Sequence, residues 1–403
     1  MPVVIERLGH LGDGIAPGPL YVPRTLPGEV VEGEITGDRL ELPRILTPSP
    51  NRVRPPCPHY RACGGCSLQH ASDGFVAGWK VGIVQSALRA QGLPHAVEGI
   101  STSPPGTRRR AVLSGRRTKS GALVGFHAPK SDHLTAIPRC VLLDPRLMAA
   151  VPAFEALTVA GTSRKSEIKL TVTASEAGVD VAVADGKPLS AELETTLAGI
   201  AGEHGLARLT WGGEPVALIA PPVQRFGSAL VVPPPGAFLQ ATESGEGALC
   251  ASVKAAVSGA RRIVDLFAGC GTFALPLAAR AEVHAVEGDD AMIRALDAGW
   301  RMASGLKQVT TEVRDLFRQP LLPDELDRFD AVVIDPPRAG AEAQVAEIAR
   351  SKVGLVAAVS CNPVTFARDA RTLAEAGFSL DRVRVVDQFR WSTHVELAAR
   401  FVR

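Results

Sequence analysis

The alternation of hydrophobic and polar positions divides the chain into three regions. Residues 1–48 carry short alternating runs broken by Gly and Pro, a spacing that predicts a small β-barrel. Residues 49–240 alternate strand-like stretches with turns, so we predict an α+β region, with a helix near 73–91 as a candidate for packing on the region that follows. From 241 to 403, apolar strands alternate with helices, which predicts an α/β, Rossmann-like doubly wound domain.

Composition narrows the class of protein. Hydrophobic residues make up 46% and charged residues 21% of the 403 positions, which is typical of a globular chain and not of a disordered one. No apolar run approaches the roughly 18–20 residues that a membrane span needs, and the first residues lack the basic and apolar regions of a secretory signal. We therefore expect a cytoplasmic protein with no membrane partner. The odd number of cysteines, seven, favours ligands or catalysis over a disulfide framework.

Positive charge is concentrated in one stretch although the net charge is only +2. Residues 107–146 contain nine Lys or Arg against two Asp, with Arg108-Arg109-Arg110, Arg116-Arg117 and Lys119 at their centre. Such a run predicts a cationic surface suited to phosphate. A solvated basic face without a ligand is the alternative reading.

Three acidic residues each end an apolar strand of the third region. Asp265 is followed by a turn with Gly269 and Gly271, where the backbone can approach a ligand closely; a tight turn without a ligand is the alternative. Glu287 ends the next strand, where a carboxylate can accept hydrogen bonds from both hydroxyls of a ribose. Asp335 ends a later strand, and the two prolines after it stiffen the turn. In this order these are signatures of the class I methyltransferase fold, which binds S-adenosylmethionine.

Cys361 is the candidate nucleophile, because it ends another apolar strand at the same sheet edge. The chain continues from there as a helix, whose unpaired N–H groups and dipole favour a thiolate; a buried structural cysteine is the alternative. Such a thiolate would serve methyl transfer to a weakly nucleophilic carbon such as carbon 5 of uracil. That carbon is too weak a nucleophile to attack a sulfonium methyl group directly. A thiolate that adds to carbon 6 makes carbon 5 nucleophilic, and a base then removes the carbon 5 proton.

Glu396, in the segment STHVELAARF, is the candidate base. The alternation with Val395 and Leu397 predicts that His394 and Glu396 share one face of a strand. An ordinary exposed carboxylate is the alternative for Glu396. His394 is expected either to orient the base, to contact RNA or to be a plain surface residue.

Five segments together closely resemble the RNA uracil-5-methyltransferase family, which includes bacterial 23S ribosomal RNA and tRNA enzymes. They are DLFAGCGTF, VEGDD, DPPRAG, SCNPVTFARD and DQFRWSTHVE. The resemblance implies a class I methyltransferase domain, an OB-like TRAM barrel at residues 1–48, Cys361 as nucleophile and Glu396 as proton acceptor. The cofactor contacts that it implies fall on six residues: Gln240, Phe267, Thr272, Glu287, Asp315 and Asp335.

Two segments depart from the family pattern. The chain has Leu239-Gln240-Ala241-Thr242 where Phe-Gln-Val-Asn is frequent, and Arg390-Trp391 where Pro-His is usual. The first departure affects the cofactor contacts that follow Gln240. The second affects the nucleotide pocket, while the spacing between Asp387 and Glu396 is kept.

Four cysteines of the amino-terminal half form a possible ligand set: Cys57, Cys63, Cys66 and Cys140. Four thiolates suit zinc and an iron–sulfur cluster equally, so the residues alone leave the two open. The resemblance implies a [4Fe–4S] cluster, as in the ribosomal RNA branch of the family. Because the tRNA branch typically lacks both these cysteines and the TRAM domain, the resemblance also implies 23S ribosomal RNA as the partner. Cys250 and Cys270 have no such partners and are predicted to be structural.

Other functions fit the sequence less well. A DNA cytosine-5 methyltransferase usually carries its nucleophile in a Pro-Cys dipeptide on an earlier loop, and an amino-group methyltransferase needs no nucleophilic cysteine. A non-catalytic iron–sulfur RNA-binding protein would leave Cys361 and Glu396 without a role. A tRNA uracil-5-methyltransferase remains the nearest alternative, and no obligatory protein partner is indicated.

Overall fold

The computed structural model describes residues 2–403. Its first six strands form one mixed sheet in the order β1-β5-β6-β4-β3-β2, which curls around the buried side chains of Ile5, Val22, Val31 and Leu40. These strands are β1 (Val3–Val4), β2 (Arg7–Leu8), β3 (Gly14–Ala16), β4 (Leu20–Val22), β5 (Val30–Thr36) and β6 (Arg39–Thr47). This sheet is compatible with the small barrel expected from the sequence, whereas the type of barrel stays a prediction.

A seven-stranded sheet in the order β10-β9-β8-β11-β12-β13-β14 forms the middle of the chain, with helices packed on it. Alternate strand residues such as Leu170 and Val181 are fully buried with Phe154 and Trp211 in its core. The elements from residue 73 to 231 are α1 (Asp73–Ala90), β7 (Ile100–Thr102), β8 (Arg110–Arg117), β9 (Ala122–His127), β10 (Leu134–Ala136), α2 (Pro145–Ala149), α3 (Val151–Gly161), β11 (Glu167–Ser175), β12 (Gly178–Ala184), α4 (Ala191–Glu203), β13 (Arg208–Trp211), β14 (Glu214–Leu218), β15 (Gln224–Phe226) and β16 (Ala229–Val231).

The last part of the chain is a doubly wound α/β domain, as the strand–helix alternation predicts. Its sheet has the order β19-β18-β17-β20-β21-β23-β22-β7, and only β23 runs antiparallel to its neighbours. The elements are α5 (Glu243–Ala256), β17 (Arg262–Leu266), α6 (Ala274–Leu277), β18 (Glu282–Glu287), α7 (Asp290–Met302), β19 (Val309–Val313), α8 (Pro323–Leu326), β20 (Ala331–Ile334), α9 (Glu342–Arg350), β21 (Leu355–Ser360), α10 (Pro363–Glu375), β22 (Ser379–Asp387) and β23 (Glu396–Val402). The carboxyl ends of β17 to β21 lie at one edge, where such sheets bind ligands.

Segments that precede residue 241 also pack with this domain. Helix α1 begins at the N-cap Ser72, whose hydroxyl accepts a hydrogen bond from the Phe75 N–H, and it lies against α10 and β22. Strand β7 extends the sheet beside β22, and the hairpin of β15 and β16 packs on α7. The α/β domain therefore includes elements from the region before 241, and the domain boundaries drawn from the sequence remain a prediction. No helix within residues 2–403 is long and apolar enough to cross a membrane.

Candidate active site

The turn after β17 has a backbone that only certain residues tolerate. Phe267 has φ +62°, which is strained for a bulky side chain, and Gly269 and Gly271 have φ +55° and +94°. A Cβ atom on Gly271 would lie 2.8 Å from Leu275 Cδ1 and 2.9 Å from Leu296 Cγ, so this position also lacks room for a side chain. Strained backbone persists where the surrounding structure enforces it, and such sites are often ligand-binding sites.

Two carboxylates border this turn. Glu287, at the end of β18, accepts hydrogen bonds from the backbone N–H groups of Gly269 and Asp289, each at 3.0 Å. Asp265 lies fully buried in β17, and neither of its carboxylate oxygens has a hydrogen-bond partner within residues 2–403. Burial and the nearby Asp335 raise the pKa of Asp265 well above its ordinary value. A buried carboxyl without a partner beneath a strained turn is costly, which marks this edge as a ligand site rather than a plain turn.

The other predicted cofactor residues lie around the same edge. Gln240 is buried, and its amide donates to Asp335 Oδ2 at 3.4 Å. Burial raises the pKa of Asp335 to about 7. Phe267 contacts the ring of Phe317 with 5.4 Å between centroids. Asp315 follows β19, where it is exposed and accepts a hydrogen bond from the Phe317 N–H at 3.0 Å.

Thr272 is half-buried at the end of the glycine turn, and its carbonyl accepts a weak hydrogen bond from the thiol of Cys250 at 3.4 Å. The structure thus brings all six predicted cofactor residues to the carboxyl edge of the sheet. Cys270 is buried in the apolar core, and Cys250 packs against it.

Cys361 directly follows β21, and Asn362 caps the helix after it by accepting a hydrogen bond from the Val364 N–H at 3.1 Å. The effect on its thiol is opposite to the one expected from the helix dipole. Burial, with the carboxylates of Glu396 and Asp335, raises the pKa of the Cys361 thiol to about 11. Arg338 acts in the other direction but does not outweigh burial. The thiol is therefore neutral in the free protein.

Glu396 is the first residue of β23 and is only 2% exposed. Burial and the Asp335 carboxylate raise its pKa well above the ordinary value. Ser360 pairs with Leu397 across β21 and β23, so the next residues outward, Cys361 and Glu396, lie side by side at the strand ends. The alternative of an ordinary exposed carboxylate is therefore wrong for Glu396.

His394 does not share a strand face with Glu396, contrary to the alternation argument. It lies before β23, is exposed, and packs its ring edge against Phe389 with 5.6 Å between centroids. The residues from Val395 to Ala399 are all buried, because β23 is an interior strand covered on both faces. Alternation therefore cannot assign faces in this strand.

Sequence reasoning missed Gln388 although it stands in a segment quoted for the family resemblance. Gln388 is 1% exposed, and its amide nitrogen donates hydrogen bonds to Glu396 and to Gln240. Its amide oxygen accepts a hydrogen bond from the Ala241 N–H at 2.6 Å. The position next to Asp387 was the available signal. Only the fold shows that Gln388 joins the predicted base, Glu396, to Gln240 and Ala241, which are called the cofactor loop below.

The loop between β22 and β23 is anchored from the amino-terminal half. Lys80 of α1 and Asp387 form an ion pair at 2.6 Å with both side chains at most 1% exposed. Trp391 has φ +60°, and its carbonyl accepts hydrogen bonds from the N–H groups of Ser67 and Leu68 at 2.8 and 3.0 Å. Arg390, which departs from the family pattern, places its guanidinium 4.9 Å from the Trp391 ring centroid and pairs with Asp73 at 2.5 Å.

The basic run is only partly a surface. Arg109 is 3% exposed; it pairs with Glu246 at 2.5 Å and donates to the Gln240 carbonyl at 3.1 Å. The prediction of a phosphate-binding surface is therefore wrong for Arg109, which instead holds the backbone of Gln240, a predicted cofactor residue. Arg116 pairs with Glu167 at 2.7 Å, whereas Arg117 and Lys119 are exposed.

The four cysteines of the predicted ligand set line one small pocket, with Gln69 and Phe126 among its other walls: Cys57, Cys63, Cys66 and Cys140. Burial raises the pKa of Cys63, Cys66 and Cys140, and the pKa of Cys66 reaches about 12. Within residues 2–403, no three His, Cys, Asp or Glu side chains converge closely enough to hold a single metal ion. The fold thus gathers the cysteines around a space without forming a single-ion site.

Comparison with known proteins finds relatives along the whole chain. The family model for tRNA (uracil-5-)-methyltransferase matches residues 246–402. A Rhizobium meliloti protein named as an uncharacterized RNA methyltransferase is 44% identical, over 98% of each chain. The 23S rRNA (uracil(1939)-C(5))-methyltransferase RlmD of Chromohalobacter salexigens is 34% identical, over 97% of this chain and 87% of its own.

One solved structure shares the whole fold. The crystal structure of the Pyrococcus abyssi tRNA (uracil-54, C5)-methyltransferase in complex with S-adenosyl-L-homocysteine superposes with a TM-score of 0.80 at 24% identity, covering 100% of this chain and 99% of that one. Fold and site define a class I methyltransferase. The relatives narrow the class further: the chain belongs to the RNA uracil-5-methyltransferase family and is an RNA-modifying enzyme.

Proposed function

We propose that this enzyme methylates carbon 5 of a uridine in 23S ribosomal RNA through a covalent bond between Cys361 and carbon 6 of the base. The observation that carries the proposal is the register of β21 and β23. It sets a thiol and a buried carboxyl side by side at the edge where the cofactor residues meet. A nucleophile for carbon 6 and a base for the carbon 5 proton must both reach one ring, and this pair meets that requirement.

S-adenosylmethionine is the proposed methyl donor, and when bound it supplies an electrophilic methyl group. The strained glycine turn and the unpartnered Asp265 support a ligand at this edge. Glu287 is placed at a strand end where it can accept hydrogen bonds from ribose hydroxyls. We assign the other contacts to the predicted residues: Gln240, Phe267, Thr272, Asp315 and Asp335.

The proposed chemistry then follows from the two residues. The Cys361 thiol gives its proton to solvent and its sulfur bonds to carbon 6, while the electron pair of the 5,6 double bond moves onto carbon 5. That pair bonds to the methyl group, and S-adenosylhomocysteine is left as the second product. Glu396 then accepts the proton that carbon 5 still carries, the electron pair of that C–H bond re-forms the 5,6 double bond, and the Cys361 sulfur leaves carbon 6 with the pair of the C–S bond. Glu396 must be ionised to act, and its raised pKa makes it a stronger base than an ordinary glutamate once it is.

The target uridine must leave its stack for the sulfur to reach carbon 6. We propose that residues 1–48 form a TRAM-like barrel and that it and the region 49–240 grip the RNA, largely by shape. Exposed cations such as Arg117 and Lys119 support phosphate contacts. The 34% identity to a 23S ribosomal RNA enzyme favours that RNA class over tRNA.

We also propose a [4Fe–4S] cluster held by Cys57, Cys63, Cys66 and Cys140. The support for this proposal is that the four thiols line one pocket. Burial raises the pKa of Cys63, Cys66 and Cys140, and a bound cluster would hold them as thiolates. The proposed role of the cluster is structural: it joins the loop-rich segment that carries Cys57, Cys63 and Cys66 to the region before α2 that carries Cys140.

Methyl transfer from tritiated S-adenosylmethionine to unmodified 23S ribosomal RNA and, in parallel, to total tRNA tests the proposal. Label in 5-methyluridine of 23S ribosomal RNA alone is expected. Label in tRNA alone would keep the chemistry and replace the substrate. Label on another base would overturn the roles given to Cys361 and Glu396.

A further inference from the structure

We infer that Gln388 is a positioning residue that orients Glu396 and holds it ready to act as a base. The inference deepens the proposed function and rests on the role of Glu396 given above. Within residues 2–403, the Gln388 amide is the only group that hydrogen-bonds to the Glu396 carboxylate. Because Glu396 is 2% exposed, water cannot readily take over that hydrogen bond.

The orientation of the Gln388 amide follows from its acceptor end. Its oxygen accepts the Ala241 N–H at 2.6 Å, and a backbone N–H can only donate. The amide nitrogen must therefore face the other way, where its two N–H groups meet the oxygens of Glu396 and Gln240. A flipped amide would set an oxygen against both acceptors and its nitrogen against a donor.

Both N–H groups have a consequence for the reaction. The one that donates to Glu396 favours the ionised carboxylate, which is the form that accepts a proton. The one that donates to the Gln240 oxygen leaves the Gln240 nitrogen free to donate to Asp335 Oδ2 at 3.4 Å. A single buried amide thus links the base to the cofactor loop and to a second carboxylate.

Burial and the Asp335 carboxylate both disfavour the ionised form of Glu396, so the hydrogen bond donated by the Gln388 amide matters for that form. Neither Asp335 nor Cys361 offers it a positive charge, and the other acidic groups on elements packed against β23 are already paired with cations. In order of element, the groups are Asp335 after β20, Cys361 after β21, Asp387 of β22 with Lys80, Glu246 of α5 with Arg109, and Asp369 of α10 with Arg368. Within the described residues, the Gln388 amide is the group that donates a hydrogen bond to this carboxylate.

Gln388→Met tests the inference, because it keeps the volume and removes the donor. Hydrogen bonds to charged groups are worth enough that kcat should fall about ten- to a hundredfold, with a smaller change in KM for S-adenosylmethionine. The acid limb of the kcat–pH profile should move to higher pH, since loss of the donor raises the pKa of Glu396. With RNA deuterated at carbon 5 of uridine, a primary isotope effect should appear or increase, and the covalent RNA adduct should accumulate.

Two further variants separate positioning from folding. Gln344→Met makes the same change at an equally buried glutamine that bonds only to the Leu321 backbone, so it should leave the pH profile and isotope effect unchanged. Gln388→Glu keeps the acceptor for Ala241 and replaces only the donor. It should move the acid limb of the pH profile to higher pH than Gln388→Met does, because a second carboxyl group beside Glu396 raises the pKa at which Glu396 ionises.

The outcomes distinguish the two levels of the proposal. Wild-type activity with an unchanged pH profile and isotope effect in both Gln388 variants would overturn the role of Gln388 alone. A wild type that makes no 5-methyluridine would overturn the proposed function and this inference with it. An equal loss in Gln344→Met and Gln388→Met would show that the effect is one of folding, and would also contradict the inference.

Discussion

Two groups of buried and half-buried side chains contain thiols, and burial acts on the thiols of both in the same direction. In the group proposed as catalytic, which comprises Asp335, Cys361, Gln388 and Glu396 and is called the catalytic pocket below, the pKa of Cys361 rises to about 11. In the cysteine pocket, formed by Cys57, Cys63, Cys66 and Cys140, the pKa of Cys66 rises to about 12. The surroundings differ. The amides of Gln240 and Gln388 donate hydrogen bonds to the carboxylates of the first group. In the second group the thiols lie beside one another, and burial outweighs the opposing effects of Arg108 on Cys140 and of Gln69 on Cys66.

The difference shows that a raised pKa has no single meaning. In the catalytic pocket it describes a neutral thiol and a buried carboxyl group, Cys361 and Glu396. In the proposed reaction each changes its protonation state when the substrate is bound. In the cysteine pocket it describes buried thiols, which the proposed cluster would hold as thiolates. The two pockets are connected, because the Trp391 carbonyl of the loop before Glu396 is held by the backbone of Ser67 and Leu68, next to Cys66.

Cys361→Ala gives the largest expected effect. Without a nucleophile for carbon 6, methylation should fall by at least about 10⁴-fold, as when a covalent catalyst is removed from other enzymes. Methyl transfer to 23S ribosomal RNA measures it. Cys250→Ala, the control, removes a half-buried thiol outside both pockets and should retain activity. An active Cys361→Ala enzyme would show that Cys361 is not the nucleophile.

Lys80→Met tests the anchor of the loop that joins the pockets. It leaves Asp387 buried without its ion-pair partner, so the free energy of unfolding should fall by about 3–5 kcal/mol. Denaturant unfolding measures the change. Lys169→Met, which removes an exposed pair with Asp185, should have little effect, and equal stabilities of the two variants would contradict this account.

Cys63→Ser tests the cysteine pocket. Iron and acid-labile sulfide should be lost, and Tm should fall by about 5–10 °C, which corresponds to about 3 kcal/mol of lost ligand stabilisation. The activity that remains per folded molecule should exceed that of Cys361→Ala by far. Purified wild type with zinc, or with no iron, would reject the cluster while leaving the catalytic pocket intact.

Arg338→Ala gives the smallest expected effect. Since Arg338 is the cation that lowers the pKa of Cys361, its removal should slow alkylation of Cys361 by a few-fold at pH 8. In wild type the alkylation rate should rise about tenfold per pH unit from pH 7 to 10, because only the thiolate reacts. Mass spectrometry of the Cys361 peptide measures both rates. An alkylation rate that stops rising below pH 9 would contradict the raised pKa of Cys361. The same slowing in Arg318→Ala would contradict the role given to Arg338.

The sequence predicted the parallel sheet and its edge well, because apolar strands that end in Asp265, Glu287, Asp335 or Cys361 have local signals. Regular parallel topology then places those ends together. It failed at His394, since interior strands covered on both faces carry no alternation from which a face can be assigned. It also failed on the protonation of Cys361, because burial depends on distant parts of the chain that surround the thiol.

Long-range partners were likewise beyond local patterns. Arg109 reads as one of three basic residues in a row, yet its partner Glu246 is 137 positions away. Lys80 and Asp387 are 307 positions apart. Nothing near Gln388 in the sequence indicates that the Ala241 N–H will fix the orientation of the Gln388 amide, so that the amide nitrogen faces Glu396.

The most direct test of the central claim is the covalent adduct in Glu396→Gln. The enzyme, S-adenosylmethionine and unmodified 23S ribosomal RNA are mixed, denatured and digested, and the cross-linked peptide is identified by mass spectrometry. Loss of the base should trap 5-methyluracil on Cys361, while Glu396→Gln with Cys361→Ala should give no adduct. Release of 5-methyluridine at the wild-type rate by Glu396→Gln, or an adduct on any other residue, would contradict the account.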